Sequence, residues 1–249
     1  MFVLSIPLVL SAYTHLWNPL GFPSIHIDES HYMRRAMLVI QGMGPQEPAA
    51  TGYQRTYDHP YFGQIFLGGV LRLIGYPNLL KPVSDQHSVE LLYMVPRLLM
   101  GLLAILDTFL IFKIAERRYG MAVGLIASVF FAVMPMTWIL RRIYLDTILM
   151  PFMLSSILFA LYLRPSDNTT KDPENTKSKI SQGTLILLSG IFLGLAIYTK
   201  APAFTMIPLV GSFVFFNSKK KVQKSWDLVD TCYYISPSLA FICRCCGSE

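Results

Sequence analysis

Long apolar runs separated by short polar connections dominate this chain, and they limit the folds that it can adopt. The candidate spans lie at 2–16, 91–112, 120–138, 146–163, 183–199 and 202–217, with a weaker one at 228–243. An α-helix needs about 20 residues to cross the hydrocarbon core of a bilayer, which is about 30 Å thick. The pattern predicts an all-α, polytopic membrane helical bundle with about 6–7 transmembrane helices.

Composition and charge agree with a membrane protein and exclude other classes. Of 249 residues, 53% are hydrophobic and 14% are charged, and the mean hydropathy is +0.46, whereas soluble domains carry about 25% charged residues. The net charge of +6 comes from Lys and Arg dispersed between the apolar runs, so no nucleic-acid partner is expected. The first run lacks a basic region before it, which favours a retained helix over a removed signal peptide.

The segment 61–80 decides the topology. It is almost long enough to span, yet it contains Gln64, Arg72 and four glycines. If it lies at the outer interface, the loops after 112, 163 and 217 share the inner side and hold eleven of the 21 basic residues. Because basic residues concentrate in short inner loops, we expect an interfacial helix here, within a first outer loop at 17–90.

This topology gathers the conspicuous polar residues at the outer ends of the helices, which is the main functional observation of the sequence. They are Asp28, Glu29, His31, Asp58, His59, Arg97, Arg141, Arg142, Asp146 and Lys200.

The stretch "IDESHYMRRAMLVIQG" contains the adjacent acids Asp28 and Glu29. Apolar residues at helical spacing predict a helix that ends near Gly42. Asp28 lies where an N-cap would, and Asp is a preferred cap residue. A carboxylate at the mouth of a membrane cavity is also a candidate general base. Both interpretations of Asp28 remain open at this point.

Several charges lie inside or beside predicted spans, where ionisable groups are costly and suggest function. Arg97 is near an outer end and could meet a phosphate, whereas Asp107 is expected to pair with a basic group on a neighbouring helix. Arg142 and Asp146 are four residues apart, so they could form an ion pair or hold an anionic lipid head. Lys200 could act on the helix dipole or on substrate.

In "YDHPYFG", Asp58 and His59 precede Pro60, which restricts the preceding backbone to extended conformations. They form either a simple turn into a helix or part of a site. The four cysteines, all in the last eighteen residues, have no zinc-site spacing, and we predict no metal site.

Five motifs in order resemble the polytopic glycosyltransferases of the GT-C type. They are "DE-x-H-Y" at 28–32, "DHP-x-x-G" at 58–63, "PR-x-x-x-G" at 96–101, "LDT-x-L-x-P" at 145–151 and "GLA-x-x-TK" at 194–200. The chain is similar to the dolichyl-phosphate-mannose protein mannosyltransferases and the lipid A aminoarabinose transferases. The resemblance covers about residues 1–217, the expected catalytic region, and 218–249 is expected to be an atypical tail of a truncated product.

The resemblance implies an enzyme that moves a sugar, with inversion, from a polyprenyl-phosphate donor to a protein or lipid acceptor at the outer or lumenal face of a plasma or ER-type membrane. Asp28 would be the base, with Glu29 supporting it. Arg97, Arg142 and Lys200 would bind the donor phosphate, and Asp146 would lie near the donor sugar or position those cations. His31, Asp58 and His59 would shape the site. No cofactor is implied, although some relatives bind a divalent metal.

The sequence leaves two alternatives to a transferase. A transporter or lipid flippase would also contain buried charges, but transporters tend to place them near the midplane in paired repeats, and no repeat is visible here. The second alternative is an inactive, truncated remnant of the transferase. The identity of the sugar and of the acceptor stays open.

Overall fold

The computed structural model describes residues 2–45, 59–82, 85–163 and 181–217, which form eight α-helices and two 3-10 helices without any strand. The predicted all-α membrane bundle is therefore confirmed. The helices are α1 (Phe2–Leu16), α2 (Ile27–Ile40), α3 (Phe62–Leu73), α4 (Gln86–Tyr119), α5 (Met121–Val133), the 3-10 helix η1 (Pro135–Arg141), α6 (Leu145–Tyr162), α7 (Gln182–Thr199), the 3-10 helix η2 (Ala201–Met206) and α8 (Ile207–Asn217).

Fewer helices than predicted meet the length needed to span a membrane. In the described ranges, α4, α6 and α7 are long and apolar enough, and α5 with η1 makes a fourth candidate only if the pair, bent by 66°, is one span. Pro135 explains the bend, because the residue before it, Met134, adopts the extended conformation that proline imposes. The weak candidate at 228–243 lies outside the described residues.

Helix α3 agrees with the interfacial interpretation of 61–80. Its 12 residues extend about 18 Å at 1.5 Å per residue, well short of a hydrocarbon core of about 30 Å. It packs closely on α2, since a Cβ added at Gly68 would lie 3.2 Å from the Ala36 carbonyl oxygen. The two short helices thus form one unit in the predicted first outer loop.

Helix α4 is the centre of the bundle and exceeds its predicted span at both ends. Its 34 residues extend about 51 Å. Asp85 caps its start by accepting the backbone N–H groups of His87 and Ser88, each at 3.0 Å, and Gly120 with φ +93 follows its end. Helices α1, α5 and α6 all pack against it.

Helix α2 begins and ends for identifiable reasons. Apolar side chains at the predicted spacing, among them Met33 and Met37, pack into the main core. At the end, Gly42 with φ +74 donates to Val39 and Met43 donates to Leu38, the pattern of a Schellman motif. The predicted helix and its glycine stop are confirmed.

The main apolar core lies where α2, α3, α4 and α6 meet, and it includes Leu67, Leu71, Met100, Ile143 and Leu145. Several of these core residues are sequence neighbours of the polar residues that are described below. The core therefore fixes the backbone that carries those polar side chains. The predicted basic partner of Asp107 is not found among the residues that the structure describes. Both carboxylate oxygens of this buried residue lack a hydrogen-bond partner in the described part of the chain.

Candidate active site

A buried ion pair joins α2 to α4 at the predicted outer end of the bundle. Arg97 donates from Nε to Glu29 Oε2 at 2.8 Å and from Nη2 to Glu29 Oε1 at 2.7 Å. The two side chains are 1% and 0% exposed. Arg97 Nη1 donates to the carbonyl oxygens of Pro19 and Pro23, at 2.8 and 2.9 Å. The guanidinium of Arg97 is thus engaged within the protein on every nitrogen.

Glu29 connects further segments through backbone N–H groups. Its Oε1 accepts from His26 at 3.0 Å, and its Oε2 accepts from Ile143 at 3.2 Å. Each carboxylate oxygen therefore accepts one bond from Arg97 and one from the backbone. This arrangement gives Glu29 a positioning role, because its carboxylate holds together the start of α2, helix α4 and the segment before α6.

Asp28 has the opposite environment, although it is the neighbouring residue. Its side chain is 53% exposed, and its Oδ2 lies 3.4 Å from His26 Nδ1. The N-cap of α2 is His26, whose Nδ1 accepts the backbone N–H of Asp28. The interpretation of Asp28 as the cap is therefore wrong. Asp28 lies in the first turn of the helix with a carboxylate that is open to solvent.

Asp146 and Lys200 form the second ion pair of the site. Lys200 Nζ donates to Asp146 Oδ1 and Oδ2 at 2.9 and 2.7 Å. Asp146 is in the first turn of α6, and Lys200 is the C-cap of α7. The expected placement of Lys200 at a helix end is confirmed, and the pair brings α6 and α7 together.

Arg142 does not form the ion pair with Asp146 that their spacing of four residues had suggested. Helix α6 begins only at Leu145, and Tyr144 before it is extended, so the two charged residues do not share a helical face. Arg142 instead places Nε 4.0 Å from Glu29 Oε1 and Nη1 3.4 Å from Tyr144 Oη.

Arg97 and Arg142 lie beside the carboxylate of Glu29, and Arg141 directly precedes Arg142 in the chain. Arg141 is 3% exposed, its guanidinium lies 5.6 Å from the Phe22 ring, and its Nε and Nη2 are buried without a hydrogen-bond partner in the described residues. Arg142 Nε is likewise buried without a hydrogen-bond partner in the described residues. Buried donors that remain unpaired are costly, so this end of η1 is suited to an anion.

A row of aromatic rings borders Asp28. The rings of His59 and Tyr32, of Tyr32 and Tyr144, and of Tyr144 and His26 have centroids 6.2, 6.3 and 6.0 Å apart. The structure thus brings His59 to the same border as α2, which carries His31. Asp58 lies outside the described residues.

Sequence reasoning missed His26 and Tyr144 as parts of this site. A signal for His26 was available, since it stands three residues before Glu29, the spacing of a capping box, with His in the place of Ser or Thr. Tyr144 carries no comparable signal. No group of three or more metal-binding side chains occurs in the described ranges.

The family comparison extends over most of the chain. Residues 50–243 match the model of the dolichyl-phosphate-mannose-protein mannosyltransferase family. The match includes Arg97, Arg142, Asp146 and Lys200, begins after Asp28, and continues past residue 217, where the tail had been set apart. No curated protein matches the chain.

The match covers more than half of the 249 residues, and the all-α bundle of apolar helices agrees with a membrane mannosyltransferase. The chain therefore belongs to the dolichyl-phosphate-mannose-protein mannosyltransferase family.

Proposed function

We propose that this chain transfers a mannose-like sugar from a dolichyl- or other polyprenyl-phosphate donor to a hydroxyl group of a protein acceptor, at the outer or lumenal end of the bundle. The observation that carries the proposal is the contrast between two neighbouring groups. An exposed, ionisable Asp28 lies one residue from Glu29, which has Arg142 beside it. Arg141 and Arg142 hold buried donors that have no hydrogen-bond partner among the described residues.

The cations suit the phosphate of such a donor. Arginine binds phosphate through a planar fork of N–H groups, and Arg141 and Arg142 have N–H groups that no acceptor in the described part of the chain occupies. Lys200 is 20% exposed and held by Asp146, and it would add a further positive charge. Arg97 is fully engaged, which favours a supporting role for it over direct contact with the phosphate.

In the proposed reaction the acceptor oxygen attacks the anomeric carbon of the sugar. The Asp28 carboxylate takes the proton of the hydroxyl, the new carbon–oxygen bond forms, and the bond from the anomeric carbon to the phosphate oxygen breaks. The electron pair leaves on the phosphate, whose growing negative charge the arginines stabilise. Attack opposite the leaving group inverts the anomeric configuration. The role of Asp28 rests on its exposure and on its motif.

The test is transfer of labelled sugar from a polyprenyl-phosphate donor to a Ser- or Thr-containing peptide, in membranes that contain the full chain. We expect Asp28→Asn to lower transfer by 10²-fold or more, the usual scale for removal of a general base. Asp85→Asn is the matched control, because Asp85 is also an exposed carboxylate and Asn is an equally good cap. Equal transfer by the parent and by Asp28→Asn would exclude Asp28 as the base.

A second pair of variants tests the phosphate side. Arg141→Gln and Arg142→Gln are expected to weaken transfer mainly through a higher KM for the donor, since both remove charge from the proposed phosphate site. Movement of the donor lipid across the bilayer, without any transfer in the parent chain, would contradict the transferase and support a flippase.

A further inference from the structure

One nitrogen of His26 faces two groups of Asp28. The Nδ1 atom lies 3.3 Å from the Asp28 backbone nitrogen, from which it accepts a hydrogen bond, and 3.4 Å from Asp28 Oδ2. His26 is the N-cap of α2, with an extended backbone at φ −99 and ψ 153. The same ring atom is therefore placed both to cap the helix and to contact the proposed catalytic carboxylate.

These two contacts need different protonation states of the imidazole. A neutral ring with its proton on Nε2 has a lone pair on Nδ1 and can accept the Asp28 N–H. A protonated ring carries hydrogen on both nitrogens, so Nδ1 can only donate. It then loses the cap bond and gains a charged partner in the carboxylate of Asp28.

His26 is held in place whichever of the two contacts its ring makes. Its backbone N–H donates to Glu29 Oε1 at 3.0 Å, and the buried pair with Arg97 fixes that carboxylate. The ring also packs edge-on against Tyr144, with centroids 6.0 Å apart. The imidazole is thus kept beside Asp28.

The charged and titratable groups around His26 leave Asp28 as its partner. From α2 these are Asp28 and Glu29, from α4 Arg97, and from the segment before α6 Arg142 and Tyr144. Glu29 is already compensated by Arg97 and lies 4.0 Å from Arg142. Asp28 is a carboxylate without a described cation beside it other than a protonated His26. Both side chains are open to solvent, with 44% of His26 and 53% of Asp28 exposed.

We propose that His26 is a positioning residue for Asp28 that leaves the carboxylate available as a base when the imidazole is neutral and occupies it when the imidazole is protonated. This inference rests on the proposed function for its effect on catalysis, but not for the contact itself. Protonation of His26 turns Asp28 into one half of an ion pair, and a carboxylate so paired is a poorer base.

The contact is tested without any activity by following the side-chain carboxyl carbon of Asp28 by NMR during a pH titration. The full chain carries ¹³C-labelled Asp, and Asp28→Asn identifies the signal by its loss. We expect the Asp28 signal to move in two steps in the parent, one for its own titration and one when His26 protonates. The second step should disappear in His26→Asn, which retains a good cap. Identical curves in the two chains would overturn the proposal.

Transfer activity tests the consequence. At acidic pH we expect His26→Asn to keep about two- to fivefold more of its neutral-pH rate than the parent, the scale of an exposed ion pair. The control is His87→Asn, an exposed His in the first turn of α4, whose pH profile should match the parent. Superimposable profiles of His26→Asn and the parent would contradict the inference. Absence of transfer in every chain would count against the proposed function, and the NMR titration would still decide the contact.

Discussion

At the scale of single residues, Asp28 and Glu29 show that two carboxylates one residue apart on a helix can have opposite environments. Glu29 points into the bundle and is fully paired, while Asp28 points out and is open to solvent. Because successive helical residues are about 100° apart, only one of the two carboxylates can turn towards Arg97 of α4. Their different roles follow from this direction and not from their chemistry.

Glu29→Gln should destabilise the protein strongly, because it leaves Arg97 charged and buried without its partner. Loss of one member of a buried ion pair costs about 3–5 kcal/mol. The measurement is thermal or denaturant unfolding of the purified protein in detergent. Asp28→Asn is the control and should unfold like the parent, since its side chain is exposed. Equal stability of both variants would show that the Glu29–Arg97 pair does not support the fold.

Lys200→Met should affect transfer more than stability. The Lys200–Asp146 pair is partly exposed, with side chains at 20% and 51%, and such pairs contribute at most about 1 kcal/mol. Loss of a cation at the proposed phosphate site should lower transfer about tenfold or more.

The matched control is Lys113→Met, which removes the Lys113–Glu116 pair near the far end of α4 and should leave transfer unchanged. An equal loss of transfer in both variants would indicate that Lys200 acts only through general stability.

At the scale of elements, the position of α1 depends on its close approach to α4 and on buried hydroxyl groups of the two helices. Gly101 of α4 lies against the end of α1, where an added Cβ would be 2.7 Å from the His15 carbonyl oxygen. About two helical turns further along α4, the Thr108 and Ser11 hydroxyls are 2.7 Å apart. Small residues and interhelical hydrogen bonds are typical of helix contacts in membranes.

Gly101→Ala should destabilise the contact between α1 and α4 by about 1–3 kcal/mol, the usual cost of overpacking. Unfolding in detergent measures this. Gly190→Ala on α7 is the control, because no atom lies within 4 Å of its added Cβ. It should be neutral or slightly stabilising. A Gly101→Ala protein as stable as the parent would show that α1 can shift at no cost.

The start of α4 should fray at acidic pH. The hydrogen bond from the Ser88 hydroxyl and, as a smaller effect, the one from the His87 backbone N–H lower the pKa of Asp85 below its ordinary value. Since the folded-state pKa is the lower one, the cap is fully effective above the unfolded-state pKa and is lost as the pH falls through the folded-state pKa. Amide exchange at residues 87–89, corrected for intrinsic rates, should lose protection there. Asp85→Asn should remove this pH dependence.

At the scale of the whole molecule, the direction of the helices gathers the site at one end. Helices α4 and α6 each carry site residues nearer their starts, and α7 carries Lys200 at its end. An alternating up-and-down order brings these positions to the same side. The other end holds basic residues such as Arg117 and Arg118, which agrees with an inner face.

Thiol labelling of sealed, oriented vesicles tests this arrangement. With Cys232, Cys243, Cys245 and Cys246 replaced by Ser, single cysteines at the exposed positions Ser24→Cys and Tyr119→Cys should react with an impermeant reagent from opposite sides. Detergent-opened vesicles provide the control for total reactivity. Reaction of both positions from one side would contradict a membrane-spanning α4.

The sequence by itself determined the class of fold and indicated several of the charged residues that lie at the predicted outer end. Apolar runs of sufficient length demand helices in a membrane, and the dispersed charges indicate which helix ends lie together. The end of α2 at Gly42 was also readable, because local backbone chemistry decides it. The length criterion was less reliable for 120–138 and 202–217, where Pro135 and the prolines at 202 and 208 accompany breaks or short helices.

Only the tertiary structure decided which charge meets which. Arg142 and Asp146 are neighbours in sequence, yet their partners are Glu29 and Lys200, because the extended residue Tyr144 separates the end of η1 from α6. Likewise Asp28 and Glu29 are adjacent carboxylates in the sequence, and only the folded chain places Glu29 against Arg97 and leaves Asp28 exposed. Pairing of charges depends on distances between segments far apart along the chain, which no local pattern contains, whereas solvent class and helix formation depend on local composition.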